Sequence, residues 1–561
     1  MCRFPVVIAV VCSWLWITGL WDAPQPIRAA EPDGGRYLEA ARRFADAVLE
    51  HGRDTYGTEK TPLFVDGLHA ESFEPVRWQR QGETWVLSNF ASQQPLIRLL
   101  DGLTAIEGDA KYRQAAEDAA RYALAHLRAP NGLLYWGGHL ALDLDAGKPV
   151  GQGGTTTHEL KGHQPYYELM WRVDPQATER LLEAIWGGHV LDWALLDYNR
   201  HASTTKSAKA QWDHAFNATI EVPFPAQGSN LSFANVTPPL VHCGTVLALH
   251  GNDDALLWTR RLLNRWQRAK DGHTGLCGGQ LSYRKEDRAQ EVLGHVHPQI
   301  NEAKIVATYH QTCRYHEIPL VSMQAAERLL AGSGDPAEAA REFIRWATED
   351  LEIYARECYD PTSGRFIAKM TDGTPIEWRE SKTSYYVPES FAPVKPDGPL
   401  FWGYATAYRL ARTPPHWRMV CAIAKAMDLG DLGEPDGARK LRLDTPNGDW
   451  QVIYPLLELH RATGDAALLQ LACRVGDNIV KQQSPSGLFP RKGRAWARTG
   501  DDAPLALLHL AAAIRGERDT LPQAVYDNRF FHCVYDGPLE PHQQKRADAR
   551  TYDHLVFYGE D

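Results

Sequence analysis

Apolar residues recur at the helical period of about 3.6 residues over much of this 561-residue chain. In residues 112–128, for example, one helical stripe carries only tyrosine, alanine and leucine side chains. Long runs with the two-residue period of a strand are nearly absent. The pattern predicts an all-α protein with roughly fourteen helices. Its clearest examples are residues 36–50, 93–106, 112–128, 176–193, 254–270, 337–357, 450–463 and 466–482.

A short turn recurs between these helices, at Gly132, Gly275, Gly364 and Gly487. Glycine tolerates a positive φ, and an apolar residue one or two positions after each glycine can enter the core. The intervals between the turns are unequal, which disfavours a regular solenoid. We therefore expect a closed ring of helical hairpins, an (α/α) toroid or barrel, with an active-site cleft at one face. An irregular helical protein is the alternative.

The N-terminus has the character of a secretory signal peptide. Arg3 precedes an apolar run over residues 4–21, and small residues at 28–30 offer a cleavage site. We predict a signal peptide over residues 1–30, with an uncleaved anchor as the alternative, and a periplasmic or secreted protein. The remainder, residues 31–561, contains no second apolar stretch of 18 residues and no convincing linker, so it is expected to be one domain.

The charge balance excludes one large class of partners. Lysine and arginine total 60 against 70 aspartate and glutamate, for a net charge of -10. Nucleic-acid binding needs a basic face, so it is not expected. An anionic small-molecule or polysaccharide substrate would need a locally positive site. A single-chain ring needs no partner subunit, so a monomer is expected.

Residues suited to metal binding and proton transfer gather in three segments, at residues 135–139, 157–163 and 197–201. The second segment contains His158 and His163, but it does not predict a zinc protease. That motif needs two histidines four residues apart on one helical face, whereas these are five apart and would point about 140° away from each other.

A dispersed site is the more plausible arrangement. His139, Glu159 and His201 would supply two imidazoles and one carboxylate, a donor set that suits Mn²⁺, Fe²⁺, Ni²⁺ or Zn²⁺ and is too rich in nitrogen for calcium. Spacing alone leaves open that each histidine is a structural residue and that Arg200 forms an ion pair on a solvated face. A second WGGH string ends at His189 inside a helical pattern, where packing or a helix surface is expected.

Five segments together resemble polysaccharide lyase family 2, the pectate lyases and exopolygalacturonate lyases of bacteria. They are TPLFVDG at residues 61–67, EPVRW at 74–78, LYWGGH at 134–139, HELK at 158–161 and NRH at 199–201. The resemblance is densest from about residue 50 to residue 205, and the Arg-His pair after the WGGH segment is its most specific part.

This resemblance implies an (α/α)₇ barrel and the β-elimination of polygalacturonate. Carried over residue by residue, it implies that His139, Glu159 and His201 hold a divalent transition metal. The expected metal is Mn²⁺, with Ni²⁺, Co²⁺ or Zn²⁺ as alternatives. Arg200 corresponds to the family's Brønsted base. Since free guanidinium has a pKa above about 12, an arginine base predicts activity that rises above neutral pH.

Two details of this assignment stay open in the sequence. The loop at residues 151–157 could differ in length from that of relatives, in which case His158 or Glu168 would replace Glu159 as the carboxylate-position ligand. Substrate contacts are expected from three further residues: an aromatic ring that suits stacking on a sugar, and two cations that suit uronate carboxylates. These residues are Trp136, Lys161 and Lys304.

Two other functions compete with the lyase. Helical toroids also carry glycoside hydrolases and sugar epimerases. A hydrolase would need two carboxylates about 5–9 Å apart, which Asp192, Asp197 and Asp213 could supply. The second alternative is a non-catalytic protein that binds an acidic glycan and leaves it intact.

Overall fold

The protein is described by a computed structural model that covers most of the chain. The described residues are 1, 34–80, 83–151, 154–160, 162–228, 230–284, 290, 294, 296–298, 300–307, 315–332, 334–377, 391–490, 494–527 and 534–535. The predicted signal peptide at residues 1–30 lies, apart from residue 1, outside them.

Fourteen α-helices occur in the described part of the chain. They are α1 Gly35–His51, α2 Gln94–Glu107, α3 Ala110–His126, α4 Tyr167–Val173, α5 Pro175–His189, α6 Thr237–Leu249, α7 Asp253–Arg268, α8 Glu317–Leu329, α9 Asp335–Cys358, α10 Gly398–Ala411, α11 Pro414–Ala426, α12 Ile453–Thr463, α13 Ala466–Val480 and α14 Ala503–Arg515. All eight helices named from the sequence are present, with ends that differ by at most four residues.

The helices form two concentric rings. The even-numbered helices from α4 to α14 contact one another in order around the inside, and α14 also contacts α2. The Tyr166 N–H, just before α4, donates to the Gln94 side chain of α2. The odd-numbered helices pack outside them. The last inner helix, α14, packs against α1 and closes the ring into seven antiparallel pairs. This arrangement is an (α/α) toroid and confirms the predicted fold class.

Burial explains why the chain sorts into two rings. The inner helices, apart from the short α4, are buried on nearly every side, whereas the outer helices bury one stripe and expose the other. Polar side chains begin several helices by accepting hydrogen bonds from free backbone N–H groups. These N-caps are Asp109, Asp174, Asn252, Asp397 and Asp465.

The two faces of the ring differ sharply. Connections from an inner helix to the following outer helix are short, as at residues 108–109, 412–413 and 464–465. Connections from an outer helix to the next inner helix are long, as at residues 127–166 and 190–236, and their described parts lie at the opposite face. This loop-rich face is where the fold can build a site.

The predicted glycine turns start four of these long connections. Gly132, Gly275, Gly364 and Gly487 have φ values of 97°, 78°, 66° and 87°. Each turn follows an outer helix, so its recurrence reflects the repeat of the helical pair. The unequal intervals reflect the different lengths of the long connections.

Short strands brace the long connections. They are β1 Gly67–His69, β2 Trp78–Arg80, β3 Glu83–Trp85, β4 Leu87–Ser88, β5 Leu140–Asp143, β6 Lys148–Gly151, β7 Thr157–Glu159, β8 Val190–Asp192, β9 Asp197–Tyr198, β10 His201–Ser203, β11 Phe224–Pro225, β12 Ser282–Tyr283, β13 Ile305–Val306, β14 Tyr359–Asp360, β15 Arg365–Phe366, β16 Lys369–Met370, β17 Gly430–Asp431, β18 Lys440–Leu441, β19 Trp496–Arg498 and β20 Val534–Tyr535. They pair in sheets of two or three strands, such as β7 with β10 and β4-β5-β6.

One cluster of buried hydrophobic side chains extends through all fourteen helices. After α14 the chain turns into the ring, where Leu521 lies beside Gly102 of α2 and the Tyr526 N–H donates to the Gln324 side chain of α8. Among the described helices, none combines the length and the apolar character that a membrane span requires.

Candidate metal centre

The WGGH loop brings His139 to the loop-rich face. The Asn89 side chain binds this loop through two hydrogen bonds. Its N–H donates to the Gly137 carbonyl at 2.7 Å, and its Oδ1 accepts from the Gly137 N–H at 3.2 Å. Asn89 is buried and is itself fixed by a hydrogen bond from its backbone N–H to Asp66. The backbone before His139 is therefore rigidly placed.

The two glycines of the loop allow it to lie directly against Glu159. Gly137 has a φ of 101°, and a Cβ on it would lie 2.6 Å from the Glu159 carbonyl oxygen. A Cβ on Gly138 would lie 2.2 Å from Glu159 Oε2. Only residues without a side chain permit this approach, so the Gly-Gly pair is a packing requirement of the site.

Strand pairing brings the other two predicted ligands together. Glu159 ends β7 and lies opposite His201, which begins the antiparallel strand β10. Residues directly opposite in an antiparallel pair point to the same face of the sheet. The Leu160 N–H also donates to the Arg200 carbonyl at 2.8 Å, which extends the pairing past the strand ends.

His139, Glu159 and His201 thus form one group, called here the His–Glu–His cluster. His139 Nε2 lies 3.2 Å from Glu159 Oε2, and His201 Nε2 lies 3.5 Å from Glu159 Oε1. One donor atom from each residue can be chosen so that all three lie within 4.8 Å of one another. Glu159 is 0% exposed and His139 is 7% exposed, while His201 is partly open to solvent.

The cluster fits a transition-metal ion on two counts. Two ligand atoms that are each about 2.1 Å from one ion lie roughly 3.0–3.4 Å apart in octahedral or tetrahedral geometry. The separations of 3.2 Å to Glu159 Oε2 and 3.5 Å to Glu159 Oε1 are close to this range, and the three donor atoms, which lie within 4.8 Å of one another, would draw closer together around an ion. Two imidazoles and a carboxylate are also a donor set that Mn²⁺, Ni²⁺, Co²⁺ and Zn²⁺ accept.

Arg200 lies beside the cluster and is itself nearly buried, at 7% exposure. Its Nε is 3.3 Å from Glu159 Oε1 and 3.4 Å from His201 Nε2, and its guanidinium carbon lies 5.3 Å from the Phe233 ring centre. The ion pair on a solvated face, considered from the sequence, is therefore not what the structure contains. A cation is held against the carboxylate of a buried polar site.

Two further histidines lie behind the cluster: His158, considered above as an alternative ligand, and His189, which ends the second WGGH string. His158 and His189 are fully buried, with His158 Nδ1 2.9 Å from His189 Nε2. Burial lowers the pKa of His158 well below its ordinary value and lowers the pKa of His189 to about 4. Both rings are neutral at physiological pH. His189 ends α5 in the interior, which agrees with the packing position, one of the two positions expected from the sequence.

The alternatives to Glu159 lie elsewhere. His158 precedes Glu159 on β7 and points to the other side of the strand, toward His189. Glu168 lies on α4, where its carboxylate pairs with Arg328 at 2.7 Å.

Two of the three predicted substrate contacts lie in the part of the chain that the structure describes, and neither is a lining residue of the cluster. Trp136 is 3% exposed and its ring stacks on Phe90 at 5.9 Å, a packing position within the core. Lys304 lines a separate cleft of about 650 Å³ with Tyr283 and Asn301. Lys161 lies outside the described residues.

The carboxylates considered for a hydrolase have structural surroundings. Asp197 is buried and accepts hydrogen bonds from the hydroxyls of Ser232 and Ser282 at 2.6 and 2.7 Å. Asp192 accepts from the Leu195 N–H, and Asp213 is exposed.

Comparison with known proteins identifies a family whose sequence model matches most of the chain. A sequence model of the family described as periplasmic pectate lyase matches residues 61–534, which include the whole cluster and Arg200. The pectate disaccharide-lyase of Dickeya dadantii (strain 3937) is 24% identical over 530 residues, 89% of this chain and 93% of that protein.

Among solved structures, a sugar epimerase from a ruminal bacterium aligns with a TM-score of 0.42 at 11% identity, over 86% of this chain and 99% of that one. A family 76 glycoside hydrolase from a bovine Bacteroides thetaiotaomicron strain aligns with a TM-score of 0.40 at 11% identity, over 86% and 78%.

Proposed function

Because the chain belongs to the family of periplasmic pectate lyases, we propose that it cleaves polygalacturonate by metal-dependent β-elimination, with Mn²⁺ as the expected ion. The family match confirms the resemblance seen in the sequence, and the family's description agrees with the predicted periplasmic or secreted location. One observation carries the metal-dependent part of the proposal. His139, Glu159 and His201 converge from three loop segments onto a buried centre beside Arg200.

The donor set explains how an acidic protein can use an acidic substrate. When bound at the cluster, a divalent cation supplies Lewis acidity toward the C6 carboxylate of a galacturonate and stabilises the negative charge that develops there. His139 and His201 are neutral donors, so only Glu159 offsets the charge of a dication at this centre. Arg200 adds a further positive charge beside it. The site is then locally cationic although the net charge is -10.

Arg200, which lies beside the cluster, is the proposed base. In the elimination, the C5–H bond breaks and its proton passes to the guanidine nitrogen. The electron pair forms the C4–C5 double bond, and the C4–O bond to the preceding sugar breaks. The leaving oxygen takes up a proton and becomes a hydroxyl group. No water attacks, so one product carries a 4,5-unsaturated end.

The base must be neutral when it accepts the proton. Guanidinium ordinarily has a pKa above about 12, and Glu159 at 3.3 Å favours its charged form. A cation on the cluster would compete for the Glu159 carboxylate and repel the charge on Arg200, which favours the neutral form. We therefore expect a larger neutral fraction of Arg200, the form that can accept the C5 proton, when a cation occupies the cluster.

The test is an assay on polygalacturonate. Purified protein is incubated with the polymer, and ultraviolet absorbance of the conjugated product is followed before and after a chelator, and then after Mn²⁺ is restored. Absorbance that rises, stops with the chelator and returns with Mn²⁺ is the expected result. New reducing ends without absorbance would instead indicate hydrolysis. The name of the Dickeya relative makes an unsaturated disaccharide the first product to seek by chromatography.

A further inference from the structure

A chain of hydrogen bonds runs through the interior behind the His–Glu–His cluster. His158 Nδ1 lies 2.9 Å from His189 Nε2, and His189 Nδ1 lies 2.8 Å from the Asn199 carbonyl oxygen. Both imidazoles are fully buried. These hydrogen bonds therefore join β7, the end of α5 and the loop before β10.

The direction of these bonds follows from their partners. A carbonyl oxygen can only accept, so His189 Nδ1 carries the hydrogen. Because the ring is neutral, His189 Nε2 then has a lone pair and accepts from His158 Nδ1–H. Each imidazole is fixed in one tautomer and one orientation. Leucine or phenylalanine could fill the same volume, but neither could make this directed connection.

His189 holds Asn199 from two sides. Its ring donates to the Asn199 carbonyl, and its own backbone carbonyl accepts from the Asn199 N–H at 2.9 Å. The Asn199 side-chain oxygen in turn accepts from the His201 N–H at 3.0 Å. Asn199 thus caps a tight turn, and the next two residues are the base Arg200 and the ligand His201.

We propose that His189 is a positioning residue for the metal site: through its hydrogen bond to the Asn199 carbonyl, it sets the turn that places Arg200 and His201 against Glu159. His158 completes the device, because it links the same ring to the strand that carries Glu159. This inference rests on the proposed metal-dependent function. It assigns a role to the second WGGH string, whose histidine is the last residue of α5.

Paired variants separate the hydrogen bond from packing. His189→Asn keeps an N–H near the position of Nδ1 and so keeps the bond to Asn199. His189→Gln keeps only the reach toward His158. His189→Leu removes both connections. The matched control is His416→Leu on α11, because His416 is also buried and lies 3.0 Å from a backbone carbonyl, that of Thr348, but far along the ring.

The readouts are the dissociation constant for Mn²⁺ by titration calorimetry, kcat on polygalacturonate and the thermal midpoint without metal. His189→Leu and His189→Gln should bind Mn²⁺ about 10–100-fold more weakly, as for loss of residues that orient ligands. His189→Asn should stay within about threefold of the wild type. His416→Leu should lower the thermal midpoint and leave Mn²⁺ binding unchanged.

Several results would overturn the inference. Equal Mn²⁺ affinity for His189→Asn and His189→Gln would do so, and this comparison stands even if the leucine variant fails to fold. If His416→Leu weakened Mn²⁺ binding as much as His189→Gln does, the loss of affinity would be explained by general destabilisation of the fold. The wild type is titrated first. Failure of the wild type to bind Mn²⁺ would refute the metal-dependent function itself. Mn²⁺ binding that is unaffected by the substitutions of His189 would refute only the positioning role.

Discussion

Gly138→Ala would add a single methyl group at the point where the WGGH loop touches Glu159. The new Cβ would lie 2.2 Å from Glu159 Oε2 and 3.0 Å from its Cδ. The carboxylate would have to retreat by roughly 1 Å to reach an ordinary contact. It has little freedom to do so, because His139 lies 3.2 Å away on one side and Arg200 lies 3.3 Å away on the other.

The expected loss follows from this displacement. A shift of about 1 Å in a reacting or ligating group can lower a rate about 100-fold. We therefore expect kcat on polygalacturonate to fall about 100-fold and Mn²⁺ affinity to fall at least about 10-fold. Overpacking of this kind also costs about 1–3 kcal/mol of the free energy of unfolding, which a ring with so large a core can absorb.

Gly403→Ala is the matched control. Gly403 lies within α10, and the nearest atom a Cβ would meet is Leu351 Cδ1 at 3.8 Å, an ordinary contact. Alanine also favours a helix over glycine by about 1 kcal/mol. The control should keep its Mn²⁺ affinity and its kcat, with an equal or higher thermal midpoint.

The assay combines ultraviolet detection of the unsaturated product, calorimetric titration with Mn²⁺ and thermal unfolding of each variant. If Gly138→Ala bound Mn²⁺ and turned over substrate like the wild type, the Glu159 carboxylate could not be a ligand at this position. If metal binding persisted while only the thermal midpoint fell, the glycine would be needed for packing alone.

Three further predictions concern the base, the buried histidines and the aromatic residue of the loop. Arg200→Ala should lower kcat about 10²–10⁴-fold while Mn²⁺ affinity is retained, and the wild-type rate should rise from neutral to alkaline pH; a flat pH–rate profile would contradict an arginine base. Burial lowers the pKa of His242 and of His509 to about 3. As the pH falls below about 6.5, these two histidines therefore take up protons in the unfolded chain but not in the folded protein. Each should lower the free energy of unfolding by about 2 kcal/mol between pH 7 and pH 5, measured by denaturant titration. An unfolding free energy that is the same at both pH values would refute this. Trp136→Phe should leave KM unchanged because the ring packs in the core, and a higher KM at an unchanged thermal midpoint would instead indicate a sugar contact.

The sequence by itself determined the helices and the ring they build. Apolar periodicity is a local property, so the helices near residues 36–50 and 466–482 could be placed without knowledge of their neighbours. The glycine turns marked the ends of outer helices for the same reason, since a positive φ is a requirement of the backbone alone. Residue chemistry also narrowed the candidate ligands, because few segments combine imidazoles with a carboxylate and a strong cation.

Only the tertiary structure decided which of these residues meet. Glu159 was the expected ligand and its neighbour His158 an alternative, and strand alternation directs the His158 side chain toward His189 and the Glu159 side chain to the cluster. The residue type of Trp136 suggested stacking on a sugar, whereas in the structure its ring packs against Phe90.

The role of His189 was hidden for a related reason. Its helical pattern describes α5 correctly, but its function depends on a loop ten residues later folding back onto the end of that helix. Contacts of this kind are fixed by closure of the ring and by the pairing of short strands across loops. Neither leaves a periodic signal in the sequence, because each depends on where distant segments are brought in space.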